Sequence, residues 1–363
     1  MSRHRRAFLA TVGTAALAGC TAPVAEPTAF EDHERRDTTI GFAGDAMLGR
    51  NVDGRYRRAG VDPAGVWGDL RPRLASLDGV CCNLECCLST RGDRFPDRTY
   101  YFRADPAWAV PALEAGNVRV ASLANNHAMD YGRVALRDTI DALEADGIAR
   151  AGAGETPAAA RTPATVSIGE ADVAVVSFAD HYAAYAATED RPGTAYVEMD
   201  PKAPETRRVV GAAVDRARAT DPDLLVASLH WGPNWVEYPD DRLVSFGHWL
   251  VDRGVDLVHG HSAHVVQGVE RYGDGLVLHD TGDIVDDYVT KEDLRNDRSF
   301  LFEVGLDGGD LEELRLVPVV IDDRRVDRAD ADAAAWLRET MRDRSAPFGT
   351  AYDRDGGDLV LSL

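Results

Sequence analysis

Thr38-Thr39-Ile40-Gly41-Phe42-Ala43-Gly44-Asp45 sets a short apolar run against an abrupt polar stop. Residues 39–42 have the β-prone makeup of a buried strand, and Gly44-Asp45 breaks it. The same grammar recurs along the chain. A run at 79–83 leads to Glu85, one at 118–122 to Asn125-Asn126-His127, and one at 224–229 to His230. A fifth, at 257–258, leads into Gly260-His261-Ser262-Ala263-His264. Residues 173–178, 275–279 and 314–321 read as further strands. Residues 133–146 carry apolar side chains at 134, 136, 140 and 143 and stop at Gly147, as a helix does. Residues 241–253 and 331–342 are helical in the same way. Strands alternating with helices predict an α/β protein with buried central strands. The polar clusters fall at the carboxyl ends of those strands, where open α/β sheets collect their sites. Residues 180–200 show no period and read as a long loop of the kind that often carries function.

A lone strand-end aspartate is more often a helix N-cap than a ligand, and a lone histidine is more often a structural residue. A series of oxygen and imidazole ligands, each at a strand end, is harder to obtain from packing alone. Asp45, Glu85, Asn126, His230, His261 and His264 are therefore the expected metal ligands. A dinuclear site needs a bridging carboxylate, terminal imidazoles and an open edge for water and substrate. Mixed carboxylate and imidazole donors suit two divalent ions of Mn, Fe or Zn better than Ca or Mg. Such ions bring the pKa of water towards neutrality.

The motifs GDAMLGR (44–50), NLE (83–85), LANNHAMDYG (123–132), LHWGPNWVEYP (229–239) and GHSAHVVQG (260–268) occur in a fixed order. In type and order they resemble the bacterial capsule and poly-γ-glutamate synthesis (CapA/PgsA) family, a branch of the calcineurin-like metallophosphatase fold. The likeness covers about residues 38–320, and SAPFGT (345–350) resembles the family's C-terminal end. It implies a four-layer αββα sandwich with two metals at the strand ends. By motif position Asp45 resembles the first aspartate ligand, Glu85 the bridging carboxylate, Asn126 the asparagine ligand and His127 the acid/base histidine. His230 and His261 resemble ligands of the second metal, and His264 of the first. Calcineurin-like enzymes usually have Asp-x-His where this chain has Asp45-Ala46-Met47, so the first metal lacks an imidazole. The bridging position holds Glu rather than Asp, and two residues separate the last histidines instead of one. Asp283, in Gly282-Asp283-Ile284, either adds a carboxylate or caps a turn.

Neighbouring residues extend the pattern. Asp130, three after His127, is placed to orient that imidazole. Arg50 and Arg103 either hold an anionic substrate or pair with surface acids. Trp231 and Trp235 either wall the site or pack. The expected activity is that of a metal-dependent, phosphoesterase-like hydrolase acting in poly-γ-glutamate or capsule synthesis on an anionic polymer or phosphoester. The alternatives are a general cell-surface phosphoesterase and a non-catalytic subunit of a polymer synthesis complex.

The formal charge is −21, and only Lys202 and Lys291 are lysines. Acid excess spread along the chain fits a surface hydrated at high salt and excludes nucleic-acid binding, which needs a basic face. Arg5-Arg6 followed by an apolar stretch to Ala18 reads as a twin-arginine signal, too short for a permanent span. Leu17-Ala18-Gly19-Cys20 resembles a lipobox, with Cys20 lipid-anchored on the outer side of the cell membrane; the alternative is an ordinary cleaved signal with an incidental cysteine. The organisation is then a signal (1–19), a tether (20–37), the CapA-type domain (38–325) and a C-terminal helix and strand completing it (326–363). Cys81, Cys82, Cys86 and Cys87 read as small buried thiols on a packed strand, with a disulfide the alternative after export.

Overall fold

The computed structural model describes residues 37–363. The twin-arginine signal, the Cys20 anchor and nearly all of the tether lie outside the described residues.

Two sheets face one another. The larger has ten strands, with Thr38–Ala46 near its centre. On one side Thr38–Ala46 pairs in parallel with Gly79–Leu84, which continues to Val118–Ser122 and Ala149–Ala151. On the other it pairs antiparallel with Arg298–Asp307, followed by Asp310–Asp322. The second sheet has six strands, and its centre is Ala171–Ala179, Leu224–His230 and Leu257–His261, all parallel.

Period-two alternation assigns the faces. Ile40, Phe42, Val173, Val175, Leu224, Val226 and Leu257 join the core between the sheets. Their chain neighbours Ala174, Val176, Leu225, Ala227 and Val258 point outward, under helices Pro204–Arg218 and Asp241–Asp252. On the far side, Ala43, Cys82 and Ala121 pack beneath Pro106–Ala115 and Gly132–Ala145. The result is the expected four-layer αββα sandwich. Helix Ala331–Ser345 closes one edge of the inter-sheet core with Leu337 and Met341, and Asp358–Ser362 adds a strand to the larger sheet.

The helix starts are chemical. Asp240 accepts from Leu243 N at 2.9 Å and Asp330 from Ala333 N at 2.8 Å, each satisfying a first-turn amide. Helix Pro106–Ala115, unmarked in the sequence reading, carries Pro111 in its interior, which obscures the pattern. Helix Pro204–Arg218 was also missed, although Val209, Val210, Ala213, Val214 and Ala217 give it a helical stripe. The 180–200 segment is largely irregular, as expected, but contributes a 3-10 turn at Ala183–Tyr185 and a two-residue strand, Gly193–Thr194.

Two glycines let the strands reach the site. A Cβ on Gly44 would lie 1.8 Å from the Gly282 carbonyl oxygen, and one on Gly260 would lie 2.1 Å from that of His279. Only glycine permits these approaches.

Candidate metal centre

Strand register gathers the site. Asp45 is level with Asn83 on one side and Asp283 on the other, and His230 is level with His261 in the second sheet. Both sheets thus deliver their polar ends to one place. Among the described residues, two ligand groups form there, Asp45–His230–His261 and Asp45–Glu85–His264, with one donor atom per residue and all within 4.8 Å of one another. The five side chains are buried. The residue common to both groups is Asp45, whereas the resemblance gave the bridging role to Glu85. Glu85 still reaches both, with Oε1 3.6 Å from His230 Nε2.

The spacings suit cations. His230 Nδ1 and His261 Nδ1 are 3.1 Å apart, close to the separation of two nitrogens that each bind one ion at about 2.0–2.1 Å. Glu85 Oε1 and Oε2, Asn126 Oδ1 and Asp283 Oδ2 are buried without hydrogen-bond partners. Unpaired buried oxygens are costly, and divalent ions would satisfy them. Met47 is buried in the outer core, so no imidazole stands in its place. Asp283 instead adds a carboxylate: its Oδ1 lies 2.8 Å from His264 Nδ1, which settles the turn-cap alternative.

Electrostatics divide the histidines. Burial drives His261 down to about 4 and His230 well below its usual value, leaving both neutral and able to donate a lone pair. Burial also opposes charge on His264, but Asp283, Tyr288 and Glu85 outweigh it and hold its pKa well above the usual range. Burial, then the Asp45 charge, raises Glu85 well above an ordinary carboxylate. For Asp45 itself burial is outweighed by His264, His261 and His230, and its pKa falls.

His127 sits at the mouth. Its Nδ1 is 2.6 Å from Asp130 Oδ2, which leaves Nε2 facing Glu85 Oε1 at 3.9 Å. Asp130 is held by Phe102 N at 2.7 Å and the Tyr185 hydroxyl at 2.9 Å. Burial lowers the His127 pKa against the pull of Asp130. A cavity of about 500 Å³ opens beside it, lined by Asn126, His127, Arg50, Arg98, Trp235 and Lys291 among others. Trp235 packs on the His264 ring at 5.1 Å and forms a wall, whereas Trp231 is buried in the outer core. Arg50 lines this cavity and pairs with Asp287 at 3.3 Å. Arg103 does not line it and stacks on Tyr131 in an adjoining cavity.

Three residues of the centre escaped the sequence reading. Asn83 donates to Asp45 Oδ1 at 2.7 Å and fixes that carboxylate, and its place beside Glu85 was the available signal. Arg98 reaches the Asn126 carbonyl at 2.5 Å and Asp130 at 3.5 Å. Asp280 accepts from Ala263 N at 2.7 Å and shapes the turn between His261 and His264. The four thiols near Glu85 are free and buried, as the sequence reading of packed small side chains expects.

The model of the family described as bacterial capsule synthesis protein PGA_cap matches residues 39–288. The chain belongs to this family. Every ligand of the two groups, with His127 and Asp130, falls within the matched span of the capsule synthesis family. A "probable polyglutamine synthesis accessory protein" of Mycobacterium tuberculosis is 34% identical, covering 86% of this chain and 92% of that one. The capsule biosynthesis protein CapA of Bacillus anthracis is 29% identical over 70% of this chain, which spans 61% of that protein's length. Among solved structures, TT1561 of Thermus thermophilus aligns with 77% of this chain at 13% identity and a TM-score of 0.42.

Proposed function

We propose that the chain is a CapA-like protein of poly-γ-glutamate or a related anionic surface polymer, acting as a metal-dependent hydrolase at the Asp45-centred site. The observation that carries this is two ligand groups sharing Asp45, beside a cavity lined by Asn126 and His127, with Asp130 behind that imidazole. Asp45, His230 and His261 would hold one divalent ion, and Asp45, Glu85 and His264, with Asp283 adjacent, the other. Two such ions of the Mn, Fe or Zn class supply Lewis acidity and a water of lowered pKa.

The chain's own residues do the rest. Asp130 fixes the Nδ1 proton of His127, so Nε2 is the atom that takes or gives a proton at the reacting group. Arg50, Arg98 and Lys291 give the mouth positive charge in a chain of net −21, which suits a phosphate or carboxylate substrate. Membership of the capsule synthesis family supports work at the cell surface, where such a polymer emerges. Twin-arginine export, anchoring through Cys20, adaptation to high salt and membership of a synthesis complex complete the proposal, the last supported by the accessory-protein relative.

The test is elemental analysis of the mature protein, isolated folded, together with hydrolysis of an aryl phosphate. About two ions per chain are expected, falling steeply in Asp45→Ala, with turnover abolished in His261→Ala. Fewer than about one ion, unchanged in Asp45→Ala, would overturn the metal assignment. Full metal without turnover, combined with loss of surface polymer in a deletion strain, assigns a non-catalytic accessory role.

A further inference from the structure

The segment from Ser89 to Asp105 forms walls of two cavities. One is the cavity beside the metal centre, lined by Asn126 and His127; the other, about 280 Å³, is lined by Arg50, Arg57, Arg94 and Arg103 together with Asp53 and Asp105. Arg50 belongs to both, so the two spaces adjoin at this residue.

Of the four guanidinium groups, Arg50 pairs with Asp287 and Arg57 with Asp53, which leaves Arg94 and Arg103 to make this a cationic pocket in a strongly acidic protein. The two acids are already engaged. Asp53 accepts from Trp108 Nε1 at 2.8 Å and from Asp105 N at 2.9 Å, and pairs with Arg57 at 3.5 Å. Asp105 caps helix Pro106–Ala115 through Ala107 N. The segment carries four arginines with two distinct fates. Arg91 pairs with Asp138 and Arg98 with Asp130. Arg94 and Arg103 have no carboxylate within 4.0 Å among the described residues. Arg94 lies over Tyr101 at 4.9 Å, and Arg103 over Tyr131 at 3.8 Å with Nη1 on the Arg91 carbonyl. Aromatic faces hold these guanidinium planes while leaving N–H donors open for an incoming anion. The wall itself is built: Phe95 N donates to the Asp130 carbonyl at 2.8 Å, and the Tyr101 hydroxyl to the Phe95 carbonyl at 2.8 Å.

We propose that this pocket is an anion subsite for an extended linear polyanion, taking one acidic group while a neighbouring group of the same molecule occupies the cavity beside the metal centre, with Arg50 between them. This rests on the reading of the substrate as an anionic polymer. Two tethered contacts give an affinity that grows with chain length, because the second contact forms at high effective concentration.

The experiment measures dissociation constants by calorimetry for γ-linked glutamate oligomers and for linear polyphosphates, each at one and at about five repeats, on the metal-loaded mature protein. Wild type is expected to bind the longer member of at least one series about tenfold more tightly than the shorter, and Arg94→Gln/Arg103→Gln to lose that advantage. Arg57→Gln/Arg94→Gln, which alters exposed side chains only, gives the same readout should Arg103 be needed for folding. Length dependence with polyphosphate alone keeps the subsite and overturns poly-γ-glutamate as the substrate. Wild type without length dependence in either series, or variants that retain it, overturns the subsite.

Discussion

Asp130 does not line the cavity, so its effect on chemistry passes through His127. Its carboxylate fixes the imidazole tautomer and favours the protonated ring. Asp130→Asn keeps a polar partner but removes the charge. Aryl phosphate turnover is expected to fall about 10- to 100-fold with metal content intact, and the histidine limb of the pH profile to move to lower pH. An unshifted profile at full rate would dismiss the pair as machinery. Asn83 acts at the same scale from the other side, because its amide sets the direction of Asp45. Position in the motif marks such a residue as nearby, but only the strand register shows that it faces the ligand.

At the scale of elements, strand Gly79–Leu84 is buried on both faces, and burial raises Cys82 to about 12. The Cys81, Cys82, Cys86 and Cys87 thiols are therefore expected to ignore an aromatic disulfide reagent at neutral pH and to react together after denaturation. Rapid labelling of any of these four in the native protein would contradict this packing. The C-terminal helix Ala331–Ser345 lies beyond the 39–288 family match, yet Arg344 donates to the Val266 carbonyl at 2.5 Å and pairs with Glu237. These partners flank His264 and Trp235. Arg344→Ala is expected to cost about 2 kcal/mol in urea unfolding and to lower metal affinity, both measurable on one preparation. The strands, and the polar residues that end them, were legible because apolar runs and their breaks are local. The choice between ligand and turn cap for Asp283 was not, because it depends on Asp283–Val285 pairing with Thr38–Ala46 some 240 residues away in sequence. Nor was the contact of Tyr185 with Asp130, which a loop of no regular period delivers.

Across the whole molecule the centre concentrates buried acids: Asp45, Glu85, Asp280, Asp283 and Asp286. Burial first, and acidic neighbours second, raise Glu85, Asp280 and Asp286, while His264 is raised by its acidic partners despite burial. Groups with raised folded pKa values bind protons more tightly when folded, so their contribution is lost as pH rises. Asp45, His230 and His261 are lowered and act only as pH falls. Metal-stripped protein is thus expected to lose the acids' contribution from about pH 4 upward, offset up to about pH 6.5 by His230 and His261 and joined above it by loss of the His264 contribution, whereas loaded protein holds, as scanning calorimetry would show. A flat profile after chelation would count against the raised acids.

Asp45 belongs to both ligand groups, and that has a thermodynamic corollary. With two ions bound as proposed, whatever factor one imposes on the affinity for its neighbour would be returned in full by reciprocity. Occupancy of the two positions is then a joint property, and a titration with metal reports macroscopic steps that belong to the pair rather than to either ion.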